Sequence, residues 1–193
     1  MMTKILSARP FPFSSALKSK PTSYRRTIFQ AIEKPKSRFF MRSITGLIAT
    51  LSLSHAVLAA PVFINEFHYD NNGTDSGEGL EVAAIAGTDL ENWQLLFYNG
   101  TNGEIYKSLD LNGVISDLDN GYGVLGFATT SIQNGPADAF ALVNEQGEVL
   151  EFISYEGSLT ATEGAANGLT SIDIGLVELP DSPIGWSLQR QGS

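Results

Sequence analysis

The feature that most constrains this chain is its run of short alternating segments, each closed by a turn signal. Along Val62–Tyr69, Phe63, Asn65, Phe67 and Tyr69 fall on one side, and Val62, Ile64, Glu66 and His68 on the other. A period of two is the signature of a β-strand. Asp70–Glu78 comes next, dense in Asn, Asp, Ser and Gly, the residues that close turns. Leu80–Ile85 then resumes an apolar strand.

The pattern repeats to the end of the chain. Trp93–Tyr98, Glu104–Leu111, Tyr122–Ala128, Phe140–Val143, Val149–Tyr155 and Ile184–Gln189 read as further strands. Asn99-Gly100-Thr101-Asn102-Gly103 and Asn144-Glu145-Gln146-Gly147 are hairpin connections, because Asn and Gly tolerate positive φ. Gly157–Pro183 is a long loop region of small residues. Seven to nine short strands without an amphipathic helix predict an all-β fold, an antiparallel β-sandwich of immunoglobulin-like kind. Trp93, Phe97, Phe127, Phe140, Phe152 and Trp186 are its expected core. With no cysteine, no disulfide staples this fold and no thiolate serves as nucleophile or ligand.

The segment before residue 60 is different in kind. Residues 1–59 hold ten of the twelve basic residues and one of the twenty-one acids, a net charge of +9. Residues 60–193 hold the other two bases, Lys107 and Arg190, and twenty acids, a net −18. Such asymmetry marks a targeting segment joined to a different protein. Residues 1–40 are basic and broken by Pro10, Pro12, Pro21 and Pro35, and read either as a disordered extension or as an upstream stretch with Met41 as the true start. Residues 41–59 read as a signal peptide: Arg42 is its basic start, Ile44–Leu58 its apolar core, and Val57 and Ala59 place small residues at −3 and −1. The apolar run is short for a membrane span, which needs about 20 residues. Export with cleavage near Ala59 is the expectation, leaving residues 60–193 as the mature domain, with no membrane attachment after cleavage.

The excess of acid sets limits on function. A −18 surface is repelled by phosphates, so direct nucleic-acid binding by this domain is not expected. Divalent cations are tolerated or recruited. Asp70, Asn72, Asp75 and Glu78 cluster side-chain oxygens around Gly73 and Gly77, and Ca²⁺ takes six to eight oxygens, so the loop is a candidate structural Ca²⁺ site with Glu66 and Glu81 as contributors. The competing reading is an acidic, solvated turn, with Glu66 accepting hydrogen bonds as a structural group. Asp117, Asp119 and Asn120 form a second acidic group, read as an ordinary loop. His68 is the one histidine after the signal, and metal-dependent phosphodiester cleavage needs several acids with a base around a held phosphate. No G-x-S-x-G elbow, phosphate-binding loop or dinucleotide fingerprint is present. No catalytic residue is expected.

FINEFHYDNNGTDSGEGLEV, AGTDLENWQLLFYNGTNGEIY, ALVNEQGEVLEFISYEG, TSIDIG and IGWSLQRQG together resemble the lamin tail domain. The match is to the version at the N-terminus of secreted bacterial nucleases, especially from marine gammaproteobacteria, and spans nearly all of residues 61–192. Asn65-Glu66, Glu81 and Leu90-x-x-Trp93-x-Leu95 carry the general pattern. Trp186 and Asn92 depart from it. The resemblance implies an immunoglobulin-like sandwich that is a non-catalytic accessory module. Its implied partner is a C-terminal metal-dependent nuclease domain, whose remainder would begin where this chain stops. The chain would then be the N-terminal fragment of an extracellular DNA/RNA endonuclease. The alternative is a free-standing secreted module that uses Ca²⁺-stabilised loops to bind a cell-surface or matrix ligand.

Overall fold

The computed structural model describes residues 2–5 and 62–191. The expectations for a signal peptide, for cleavage at Ala59 and for the rest of the basic extension lie outside the described residues. Ten strands are present: β1 (Met2–Ile5), β2 (Phe63–His68), β3 (Gly79–Ile85), β4 (Gln94–Tyr98), β5 (Ile105–Asp110), β6 (Tyr122–Ala128), β7 (Ala139–Val143), β8 (Val149–Ser154), β9 (Ile172–Asp173) and β10 (Ser187–Arg190). Among the described residues there is no helix.

The strands form two five-stranded sheets, ordered β1-β10-β2-β3-β6 and β5-β4-β7-β8-β9. Every pairing is antiparallel except β8 with β9, where Ile153 and Ser154 lie parallel to Ile172 and Asp173. The all-β sandwich is therefore realised, with one parallel edge that alternation cannot reveal. β1 is the second departure. Met2–Ile5 lies inside the extension read as disordered, yet it pairs with β10 in the register Met2↔Arg190 to Ile5↔Ser187.

Alternation positions the core. Leu95 and Phe97 of β4 and Phe140 and Leu142 of β7 face the opposite sheet, where Ile64, Phe67, Leu80, Val82 and Leu188 meet them. Burying each such side chain stabilises the fold by about 1.5–3 kcal/mol. The intervening residues Leu96, Tyr98, Ala139, Ala141 and Val143 face outward and are also buried, under Leu159, Ala161 and Ala166. The small-residue stretch after Gly157 is thus a cover over the second sheet. Its alanines allow backbone to lie close on the strands.

The simple alternation fails once, inside β2. The register with β3 shifts between Ile64 and Glu66, a bulge at Asn65. A bulge inserts one unpaired residue and reverses the facing of the residues after it. Ile64 and Phe67, three apart, consequently share the core. Phe63 and Asn65, expected beside Phe67, are displaced from its face: Phe63 is only half-buried, and Asn65 is taken up by a hydrogen bond to Glu81.

Of the expected core aromatics, Trp93, Phe97 and Phe140 lie between the sheets, and Phe152 lies in the outer cluster. Phe127 packs on the core partly buried, and Trp186 is half-buried outside both clusters. The centre belongs instead to tyrosines: Tyr69 stacks on Tyr155 with ring centroids 4.1 Å apart, and Phe67 and Phe140 flank them.

Candidate functional site

The acidic loop after β2 is held by a segment more than a hundred residues away. Glu178 is buried, and its carboxylate accepts the backbone N–H of Tyr69 at 2.7 Å and of Asp70 at 2.9 Å. The same carboxylate receives His68 Nδ1 at 3.1 Å. The return contact is made by Tyr69, whose hydroxyl accepts Glu178 N–H at 2.7 Å and donates to Glu156 at 2.9 Å. Asn72 N–H reaches Ser182 O at 2.8 Å. Residues 177–182 therefore form a strap across the start of the loop.

Asn71 organises the loop from inside. Its side-chain oxygen accepts Ser76 N–H at 3.0 Å, and its amide donates to Asn72 O and Thr74 O at 3.1 and 3.2 Å. Those three contacts fix the amide orientation. Asn71 Oδ1 and Ser76 O each stand 3.2 Å from His68 Nε2. Both ring nitrogens of His68 consequently face acceptors, and only an imidazolium has two N–H donors to satisfy them. Burial pushes the imidazole pKa down, but the Glu178 carboxylate outweighs it through hydrogen bond and charge, with help from Asn71 and Ser76, and the net shift is upward.

The loop residues singled out from sequence divide three ways. Asp70 and Asp75 come together. Asp75 accepts Asn71 N–H at 3.2 Å and Asn134 Nδ2 at 2.9 Å. Asp70 is nearly buried, and burial and then the neighbouring Asp75, with Glu178 and Glu156 beyond it, raise its carboxyl pKa. Asn72 is exposed and contributes its backbone N–H to the strap. Glu78 turns away from the loop: its carboxylate accepts Ser131 N–H at 2.7 Å and Ile132 N–H at 2.6 Å, fastening the connection after β6.

The two strand carboxylates lie opposite each other, Glu66 paired with Glu81 across β2 and β3, and both are buried. Glu66 accepts Ser187 Oγ at 2.5 Å and Gln189 Nε2 at 3.0 Å, tying β2 to β10. Glu81 accepts Asn65 Nδ2 at 2.6 Å, tying the bulge residue to β3. Among the described residues, no group of three or more His, Asp or Glu side chains is arranged to hold a metal ion. In the second acidic group, Asp117 accepts Gly121 N–H at 3.0 Å, Asp119 bridges to Tyr122, and Asn120 takes φ of 52°, a closed turn.

Sequence reasoning missed Glu178, Glu156 and Asp138. Asp138 is buried and accepts Gly100 N–H at 2.8 Å and Gly135 N–H at 3.2 Å. Each stands in a loop without motif spacing, so no local signal marks it. A surface groove of about 530 Å³ lies elsewhere, lined by Ile153, Ile172, Ile174 and Leu176 with Glu151 and Arg190.

Comparison of the chain with protein-family models, with curated proteins and with solved structures returns no match.

Proposed function

We propose that residues 60–193 are a non-catalytic exported module of the lamin-tail type, an immunoglobulin-like sandwich serving as accessory part of an extracellular nuclease. One observation carries this reading. The residues that bear the resemblance all do structural work. Asn65 and Glu81 are hydrogen-bonded across β2 and β3, Glu66 ties β2 to β10, and Leu90, Trp93 and Leu95 are core. A pattern whose members hold sheets together defines a scaffold, and catalysis then belongs to a neighbour. The role is to support or position that neighbour. The −18 charge of residues 60–193 fits this, because a module that avoids phosphate leaves the substrate to its partner.

The test incubates the purified chain with duplex DNA and RNA in Mg²⁺ and in Ca²⁺. The expected result is no cleavage. Cleavage that disappears in Glu66→Gln or His68→Gln would overturn the reading. The reading frame downstream of codon 193 tests the nuclease attribution, which requires a catalytic region there.

A second reading, a binding module whose loop is stabilised by Ca²⁺, is favoured by the contact of Asp70 with Asp75. Two carboxyl groups brought together in a nearly buried place are relieved by a divalent cation. A rise in melting temperature of the chain in millimolar Ca²⁺ over chelator is what this reading requires.

A further inference from the structure

The outer edge of β10 carries an inference about partners. A strand at the margin of a sheet presents unpaired N–H and C=O groups that template another strand. Here that margin is occupied by β1, whose four residues pair antiparallel with Ser187–Arg190. The occupant comes from the basic part of the chain, and the sheet it joins comes from the acidic part. If the leader is cut near Ala59, as the sequence predicts, the occupant leaves with it and β10 becomes an open edge.

The surroundings of that edge are acidic. Glu66 is bonded to Ser187 and Gln189 of β10, Glu151 pairs with Arg190, and Asp173 lines the groove that Arg190 also lines. Arg190 is the one base among them. The first twenty residues, by contrast, contain Lys4, Arg9, Lys18 and Lys20 and no acid. The apolar groove of Ile153, Ile172, Ile174 and Leu176 starts at Arg190, so it offers room for apolar side chains of a strand laid along β10.

We propose that the outer edge of β10 is a strand-docking site for an extended cationic segment, filled by Met2–Ile5 while the leader is attached and open to such a segment of a partner afterwards. Recognition of this kind draws affinity from main-chain hydrogen bonds and selectivity from alternate side chains. The acidic surroundings add a charge preference that salt screens.

The test uses the full chain and its Thr3→Pro, Lys4→Pro variant. Proline removes the N–H that a ladder needs, and substituting neighbouring positions covers either pairing phase. Amide hydrogen exchange is followed at residues 187–190, with Leu95–Phe97 and Phe140–Leu142 as internal controls. The expected result is at least about tenfold faster exchange at 187–190 in the variant, with the control strands unchanged. Adding a synthetic peptide of residues 1–9 to the variant restores protection. The same peptide with Glu in place of Lys4 and Arg9 restores it at least about tenfold less well at low salt, a gap that closes in 1 M salt. Equal protection at 187–190 in the two chains would overturn the proposal, as would failure of the basic peptide to restore it. Equal restoration by the acidic peptide would overturn the cationic preference.

Discussion

His68 Nδ1 lies 3.1 Å from both carboxylate oxygens of Glu178, and the pair is buried at 1% exposure on each side. It joins the end of β2 to a strap 110 residues later in sequence. Because Nε2 also faces acceptors, the clasp depends on a protonated ring. Other charged groups around it are Asp70, Asp75 and Glu156, all acidic, and they reinforce the preference for a cation.

Stability should therefore fall as pH rises from near neutrality. The folded-state pKa of His68 is raised above the ordinary 6.5. Its contribution is fully present below the unfolded value and is lost as pH rises through the folded value. Urea unfolding between pH 6 and 9 should show the midpoint declining in the wild-type chain and nearly flat in His68→Gln. Buried Tyr69, Tyr106 and Tyr155 have raised pKa values, so they do not titrate in this window. A wild-type midpoint independent of pH would refute the clasp.

Glu78→Ala should be costly whether or not calcium is present. The carboxylate accepts two backbone N–H groups at 2.7 and 2.6 Å, and its loss leaves both without their partner. The cost is about 2–4 kcal/mol, from charge-assisted bonds and buried donors. Thermal melts in Ca²⁺ and in chelator should show the same loss. A deficit confined to the calcium sample would make Glu78 a ligand instead.

Asp70→Asn should have the opposite sign. Burial and Asp75 raise the Asp70 pKa, so its ionised form is disfavoured by folding. That penalty is absent below the ordinary carboxylate range and complete above the folded pKa. Neutralising the group at pH 7 in chelator should raise the melting temperature by roughly 2 °C, equivalent to about 0.5 kcal/mol. The gain should vanish below about pH 3.5, where the wild-type carboxyl is itself protonated. Any stabilisation by Ca²⁺ should be lost in the same variant.

Two glycines should separate contact from conformation. A Cβ on Gly123 would stand 1.8 Å from Ser116 O, so Gly123→Ala forces β6 away from the preceding turn and should cost several kcal/mol. A Cβ on Gly147 would meet nothing within 4 Å, and only its φ of +79° resists substitution. Gly147→Ala should therefore cost about 1 kcal/mol, and Gly147→Asn less. Chemical denaturation of the three variants checks the order.

The all-β architecture was legible because its signals are local. Leu95 to Tyr98 and Ala139 to Val143 alternate without interruption, and the turn at Asn144–Gly147 forms as its residues require. Asn144 Oδ1 accepts the N–H groups of Gln146 and Glu148, and Gly147 supplies positive φ. The second hairpin, Asn99–Gly103, closes similarly, with Gly103 N–H donating to Asn99 O. The candidate site was legible only in part. Its loop stood out by composition, but Glu78 has the same local sequence character as Asp75 and serves a different connection.

The sequence by itself determined strands, turns, the charge division and the acidic loop, since each depends on residues a few positions apart. Tertiary structure alone decided the bulge at Asn65, the parallel edge of β9 and the seating of Met2–Ile5 on β10. It also decided which carboxylate faces which donor. These are choices among partners far apart along the chain. Glu178 meets His68 because two sheets pack around Tyr69 and Tyr155 and bring the strap over the loop. A buried carboxylate must find donors wherever the fold supplies them, and no spacing in the sequence encodes a partner 110 residues away.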